Sequence, residues 1–109
     1  MDEQETTVRL SEKKRRQLKE LCAKYRVHRL ELFGSASAGE GFDPDNSDLD
    51  FLVQFLPLRQ GEYADVYFGL LEAMECLFGR HVDLVMTNAI KNPYFLESVN
   101  RSRKVLYAA

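Results

Sequence analysis

The sequence predicts an α/β (α+β) domain: a small β-sheet covered by helices, in the order α-β-β-α-β-α. Two long stretches repeat apolar residues at helical spacing, and three shorter ones alternate with the two-residue period of a strand. Clusters of Gly, Pro, Asp and Asn separate them and mark where the chain must turn. A chain of 109 residues has length for one core. It therefore reads as a single domain over residues 1–109, with residues 1–8 a disordered tail.

Each element has a local cause. Ser11 is a helix N-cap, and Glu12 lies in the first turn where the helix dipole favours an acid. Leu18, Leu21, Cys22 and Tyr25 then recur at i, i+3, i+4 and i+7. Arg29 to Phe33 form a short strand, with Leu30 and Leu32 opposite Arg29, Glu31 and Phe33, and run into Gly34-Ser35. Residues 36–47 form a turn or short helix followed by a loop. The next strand, 48–56, closes at Pro57. From about Gln60, the positions Tyr63, Val66, Tyr67, Leu70, Leu71, Met74, Leu77 and Phe78 make one face of a long helix, which Gly79 stops. His81 to Met86 are a third strand. Pro93 opens a last helix to about Lys104, and Val105-Leu106-Tyr107 follow as a short extended tail.

Composition narrows the class. Hydrophobic residues at 45% and charged residues at 29% are those of a soluble globular protein. A net charge of −2 argues against direct nucleic-acid binding. Residues 9–29 hold nine Lys or Arg against two Glu, which reads as the solvated face of a helix. Cys22 and Cys76 have no zinc-type spacing and are expected to be buried free thiols in a reducing compartment. The acidic N-terminus is no signal peptide and no apolar run can span a membrane, so a cytoplasmic location is expected.

The chemistry concentrates in acids. On the strand 48–56, Leu49, Phe51, Val53 and Phe55 share one face, and Asp48 and Asp50 share the other with Cα atoms roughly 7 Å apart. Two carboxylates so close repel, and desolvating either is costly. A divalent cation relieves both. Asp83 stands on the opposite face of its strand from Val82 and Leu84, and converges on the pair if the third strand lies beside the second. Three hard oxygen donors suit Mg²⁺ or Mn²⁺, with substrate phosphates as further ligands. At Gly34-Ser35 a glycine permits close backbone approach, and N–H groups with the Ser35 hydroxyl can hold phosphate oxygens.

Other features carry less. Residues 43–54 superficially resemble a calcium loop, but Asp48 replaces its glycine and Gln54 its final glutamate, so a plain turn is expected. His28 and His81 have no partners at ligand spacing and read as strand-flanking residues. Tyr63, Tyr67 and Phe78 belong to the core; Tyr94, Phe95 and Tyr107 suit either core or a partner surface.

The ordered set Leu32-Phe33-Gly34-Ser35, Ser47-Asp48-Leu49-Asp50-Phe51-Leu52-Val53 and Val82-Asp83-Leu84-Val85 resembles the polymerase-beta-like nucleotidyltransferase superfamily. At this length it is similar to the minimal nucleotidyltransferases, antitoxin-type partners of HEPN toxins. The resemblance spans about residues 10–107 and implies a mixed sheet with flanking helices, the nucleotidyltransferase fold. It also implies Asp48, Asp50 and Asp83 as catalytic metal ligands, and Gly34 and Ser35 as the nucleotide-binding turn. One ion would bind the triphosphate and the other would activate the attacking hydroxyl.

The resemblance implies a Mg²⁺- or Mn²⁺-dependent enzyme that moves AMP from ATP to a hydroxyl, a tyrosine of a HEPN-type partner. Transfer to a small molecule would call for an acceptor domain beyond these 109 residues, which favours a protein acceptor. A homo-oligomer is also compatible. Relatives commonly carry arginines after Gly-Ser where this chain has Ala36 and Ala38, with Lys91, Arg101 and Arg103 as candidate substitutes. The alternative reading is a weak or inactive enzyme, an antitoxin that works by occluding its toxin.

Overall fold

The computed structural model describes residues 11–34 and 48–109. Helix α1 (Glu12–Lys24) begins where the Ser11 hydroxyl accepts the Lys14 amide at 3.1 Å. It leads through Arg26, whose φ of 58° reverses the chain, into strand β1 (Val27–Phe33). Strand β2 (Leu49–Phe55) precedes helix α2 (Tyr63–Phe78). Gly79 caps α2 in the left-handed conformation at φ 67°, donating its amide to Glu75 O, and so delivers the chain to strand β3 (Val82–Met86). Helix α3 (Pro93–Ser102) starts at Asn92, whose side chain accepts the amides of Tyr94 and Phe95.

The expected tail at Val105-Leu106-Tyr107 is a fourth strand, β4 (Lys104–Ala108). It pairs antiparallel with β1, and the Ala109 amide extends the ladder to His28 O at 2.8 Å. No strand periodicity of its own marks it; the open edge of β1 recruits it. The last helix accordingly ends at Ser102, short of the expected Lys104.

The sheet is mixed, in the order β3-β2-β1-β4, with β2 antiparallel to β1 and parallel to β3. Leu18 and Cys22 of α1 and Leu70 and Met74 of α2 pack on one face against Leu30, Leu32, Leu49, Phe51, Val53, Val82 and Leu84. The opposite face carries a smaller cluster in which Phe33 and Leu52 meet Val99 of α3. Helices therefore cover both faces, which is why Leu52 is buried although it shares a face with Asp50. Phe51 stacks on Phe78, with ring centroids 5.6 Å apart.

The two thiols differ. Cys22 is buried, and burial pushes its thiol up to about 12. Cys76 is exposed, contrary to expectation, because its position on α2 turns away from the sheet. The expected tail over residues 1–8 lies outside the described residues, as do Ser35, Ala36 and Ala38.

Candidate functional site

The parallel pairing of β2 with β3 assembles the acids. Its register sets Asp50 opposite Asp83, and the Leu49 amide donates to His81 O at 3.3 Å. Asp48 and His81 thus stand side by side where the two strands begin. Because the side-chain period is two, Asp48, which immediately precedes β2, continues the face of Asp50, and Asp83 shares that face of β3. The condition for convergence, a third strand beside the second, is met.

Asp50 is the innermost carboxylate. Burial, above all, pushes its carboxyl up to about 6; its hydrogen bond with Asp83 and the charges of Asp83 and Asp48 add to the effect. A carboxyl that retains its proton well above the usual carboxylate range is one whose negative charge lacks compensation. The donor set fits a divalent cation: hard oxygens on adjacent rigid strands, with an electrostatic deficit that positive charge would relieve.

Gly34, at the end of β1, has φ 77°, and a Cβ placed there would lie 2.6 Å from Asp50 Oδ2. Glycine is required twice at this position, by the backbone conformation and by the carboxylate packed against it. The expectation that the turn offers its N–H groups to phosphate changes in one respect. The Gly34 amide donates to Ser102 Oγ at 2.9 Å, which ties the turn to the end of α3.

A cleft of roughly 410 Å³ opens at the acids, with Asp50, His81 and Asp83 on its wall and Phe33 and Phe95 beside them. The two aromatic rings meet edge to face at 6.0 Å. Tyr67 of α2 lines the cleft and donates its hydroxyl to Leu84 O on edge strand β3. Glu75 accepts the Val82 amide at 3.1 Å, which holds the start of β3.

Sequence reasoning passed over one participant. His81 places Nδ1 3.3 Å from Asp48 Oδ2 and 3.9 Å from Asp83 Oδ1. Linear spacing concealed it, because Asp48 lies 33 positions away; only the strand register brings the two together. His28, by contrast, lies exposed inside β1 rather than flanking it, because the strand begins at Val27, before the expected Arg29.

Of the cations considered as substitutes for the missing arginines, Arg103 is committed elsewhere. Its Nε and Nη2 donate to the two Glu31 carboxylate oxygens at 3.0 and 2.6 Å. Arg101 is largely exposed and lies 3.4 Å from Glu97, one helical turn back.

Comparison with known proteins identifies the family and the fold. The nucleotidyltransferase domain family matches residues 14–106. A Methanocaldococcus jannaschii chain named "Putative protein adenylyltransferase MJ1379" is 35% identical over 85 residues, covering 78% of this chain and 82% of its own. Among solved structures, one described as a "putative minimal nucleotidyltransferase" superposes with a TM-score of 0.65 at 33% identity. That match covers 84% of this chain and 88% of the other. The fold also superposes on a chain of a structure described as a tri-AMPylated Shewanella oneidensis HEPN toxin in complex with MNT antitoxin, at TM-score 0.60 and 17% identity. There the coverage is 92% and 74%.

Proposed function

This chain belongs to the nucleotidyltransferase domain family, and from that premise we propose that it transfers AMP from ATP to a tyrosine hydroxyl of a HEPN-type partner protein. The observation that supports the reading is the placement of Asp48, Asp50 and Asp83 on one face at the start of two parallel strands, with Asp50 hydrogen-bonded to Asp83 and packed against Gly34. Asp48, Asp50 and Asp83 would hold Mg²⁺ or Mn²⁺, which when bound supplies charge neutralisation to the triphosphate and acidifies an attacking hydroxyl.

The residues divide the remaining work. Asp50, packed against Gly34 and half-buried, sets the position of the triphosphate relative to the turn at the end of β1. Asp83, on edge strand β3 and exposed to the cleft, is the carboxylate best placed to take the proton of an incoming hydroxyl. An exposed wall is what a bulky protein acceptor needs. The protein-adenylyltransferase name of the M. jannaschii relative supports that acceptor class, and the AMPylated toxin bound by the structural neighbour supports the HEPN partner.

The test is transfer itself. Incubated with labelled ATP, Mg²⁺ or Mn²⁺ and a HEPN-type partner protein, this chain is expected to leave AMP on a partner tyrosine. Asp83→Ala should suppress that labelling while leaving the fold intact. If no labelled partner appears and Asp83→Ala still neutralises the toxin as well as the wild type does, the occluding antitoxin is the correct reading.

A further inference from the structure

The site contains a nitrogen that an all-carboxylate site would not need. His81 follows the left-handed Gly79 cap by two residues, and its carbonyl is clamped by the Leu49 amide. The β2–β3 register then fixes its neighbour as Asp48. Its side chain is 60% exposed, so apolar packing does not explain its place. Instead, one oxygen of Asp48, one of Asp83 and one imidazole nitrogen all lie within 4.8 Å of one another. Around an ion with bonds of about 2.1 Å, adjacent donors stand roughly 3 Å apart and opposite ones roughly 4 Å. The separations of 3.3 and 3.9 Å from Nδ1 fall in that range.

We propose that His81 is itself a metal ligand, its Nδ1 completing an N/O/O set with Asp48 and Asp83 that favours first-row transition cations over Mg²⁺. The inference rests on the metal-binding reading of the acids and specifies which cation they take. Mg²⁺ seeks oxygen and holds its waters, whereas imidazole nitrogen suits the borderline cations, with affinity rising from Mn²⁺ to Co²⁺. A site of three aspartates would leave that choice to availability. Asp50, set back against Gly34 and hydrogen-bonded to Asp83, lies outside this three-residue set.

The chelator-treated 109-residue chain, labelled with ¹⁵N-histidine, is titrated with Mg²⁺, Mn²⁺ and Co²⁺ by calorimetry, with and without a non-hydrolysable ATP analogue. The Mn²⁺ complex is then read by pulsed electron paramagnetic resonance. The expected results are a ¹⁵N coupling that disappears in His81→Gln, and a tenfold or greater loss of Co²⁺ affinity there with Mg²⁺ affinity within threefold of wild type. His81→Asp should keep Mg²⁺ and lose the preference for Co²⁺. Absence of nitrogen coupling overturns the proposal. So does a parallel fall in all three affinities, which would make His81 a positioning residue for Asp48. If wild type binds the cations through oxygen alone, only the role of His81 falls. If it binds none of them, the metal-dependent function falls as well.

Discussion

Arg103 and Glu31 form a bidentate ion pair that bolts the segment after α3 to the middle of β1, across 72 residues of sequence. Glu31 is 3% exposed, and it is the buried charged residue among the described residues. Arg29 approaches the same carboxylate at 3.5 Å. The pair lies on the α3 face of the sheet, and Ser102, the residue next to Arg103, holds Gly34. Ser102 and Arg103 thus tie the end of α3 to β1, in addition to the Phe33–Phe95 ring contact at the cleft.

Removing Arg103 leaves Glu31 buried with weaker compensation. Arg103→Met should cost on the order of 2–4 kcal/mol, toward the lower end for a buried pair because Arg103 keeps some exposure. Replacing both partners, Glu31→Leu with Arg103→Met, should recover most of that loss in urea denaturation. A single variant as stable as wild type would contradict the assignment.

The same pair predicts a pH dependence. The hydrogen bond from Arg103, foremost, holds the Glu31 carboxyl below its ordinary value of 4.5. A lowered folded value means the stabilisation is complete above the unfolded value and disappears as pH falls through the folded one. Between pH 7 and pH 3, wild type should therefore lose more stability than Arg103→Met. Urea midpoints for the two proteins across that range provide the measurement.

Asp50 has the opposite sign. Its folded value, about 6, is raised above the ordinary 3.8, so its contribution is present below about pH 4 and is lost as pH rises through 6. In chelator-treated protein, Asp50→Asn should raise the melting midpoint at pH 7.5 by roughly 5 °C, about 1 kcal/mol in a domain of this size, and change it little at pH 4. Added Mn²⁺ should stabilise wild type at pH 7.5 and stabilise the variant much less. Equal effects of the substitution at both pH values would show that ionisation of the half-buried Asp50 is not its cause.

Gly34→Ala should damage the site more than the fold. The left-handed backbone costs about 1–2 kcal/mol for a residue with a Cβ. The new methyl would also press on Asp50 Oδ2 and displace the carboxylate. Metal-dependent ATP affinity should fall at least tenfold while circular dichroism remains that of wild type. Unchanged affinity would separate Gly34 from the site.

Ala36 and Ala38 stand where the family resemblance implies arginines, and Arg103 is engaged by Glu31. Introducing Ala36→Arg or Ala38→Arg should strengthen ATP binding about tenfold, the equivalent of one charge-assisted hydrogen bond. High salt should reduce the gain if the new side chain stays in solvent. Lys91→Ala and Arg101→Ala are the controls, and a loss in either comparable to that gain would identify the native substitute.

The sequence by itself determined the local elements. Ser11, Gly79 and Pro93 act on neighbours within a turn or two, and helical or strand periodicity is visible in the residues that carry it. The alternation around Asp48, Asp50 and Asp83 likewise assigned each acid to a strand face. What those faces meet depends on how the whole chain packs. The parallel register of β3 on β2 brings His81 to Asp48, and the open edge of β1 turns an unpatterned tail into β4. Covering the second face with α3 buries Leu52 and makes Glu31 depend on Arg103. Caps and periodicities are short-range interactions written in adjacent residues. Strand register and ion pairing across the sheet arise from the packing of the whole chain, and no local pattern encodes them.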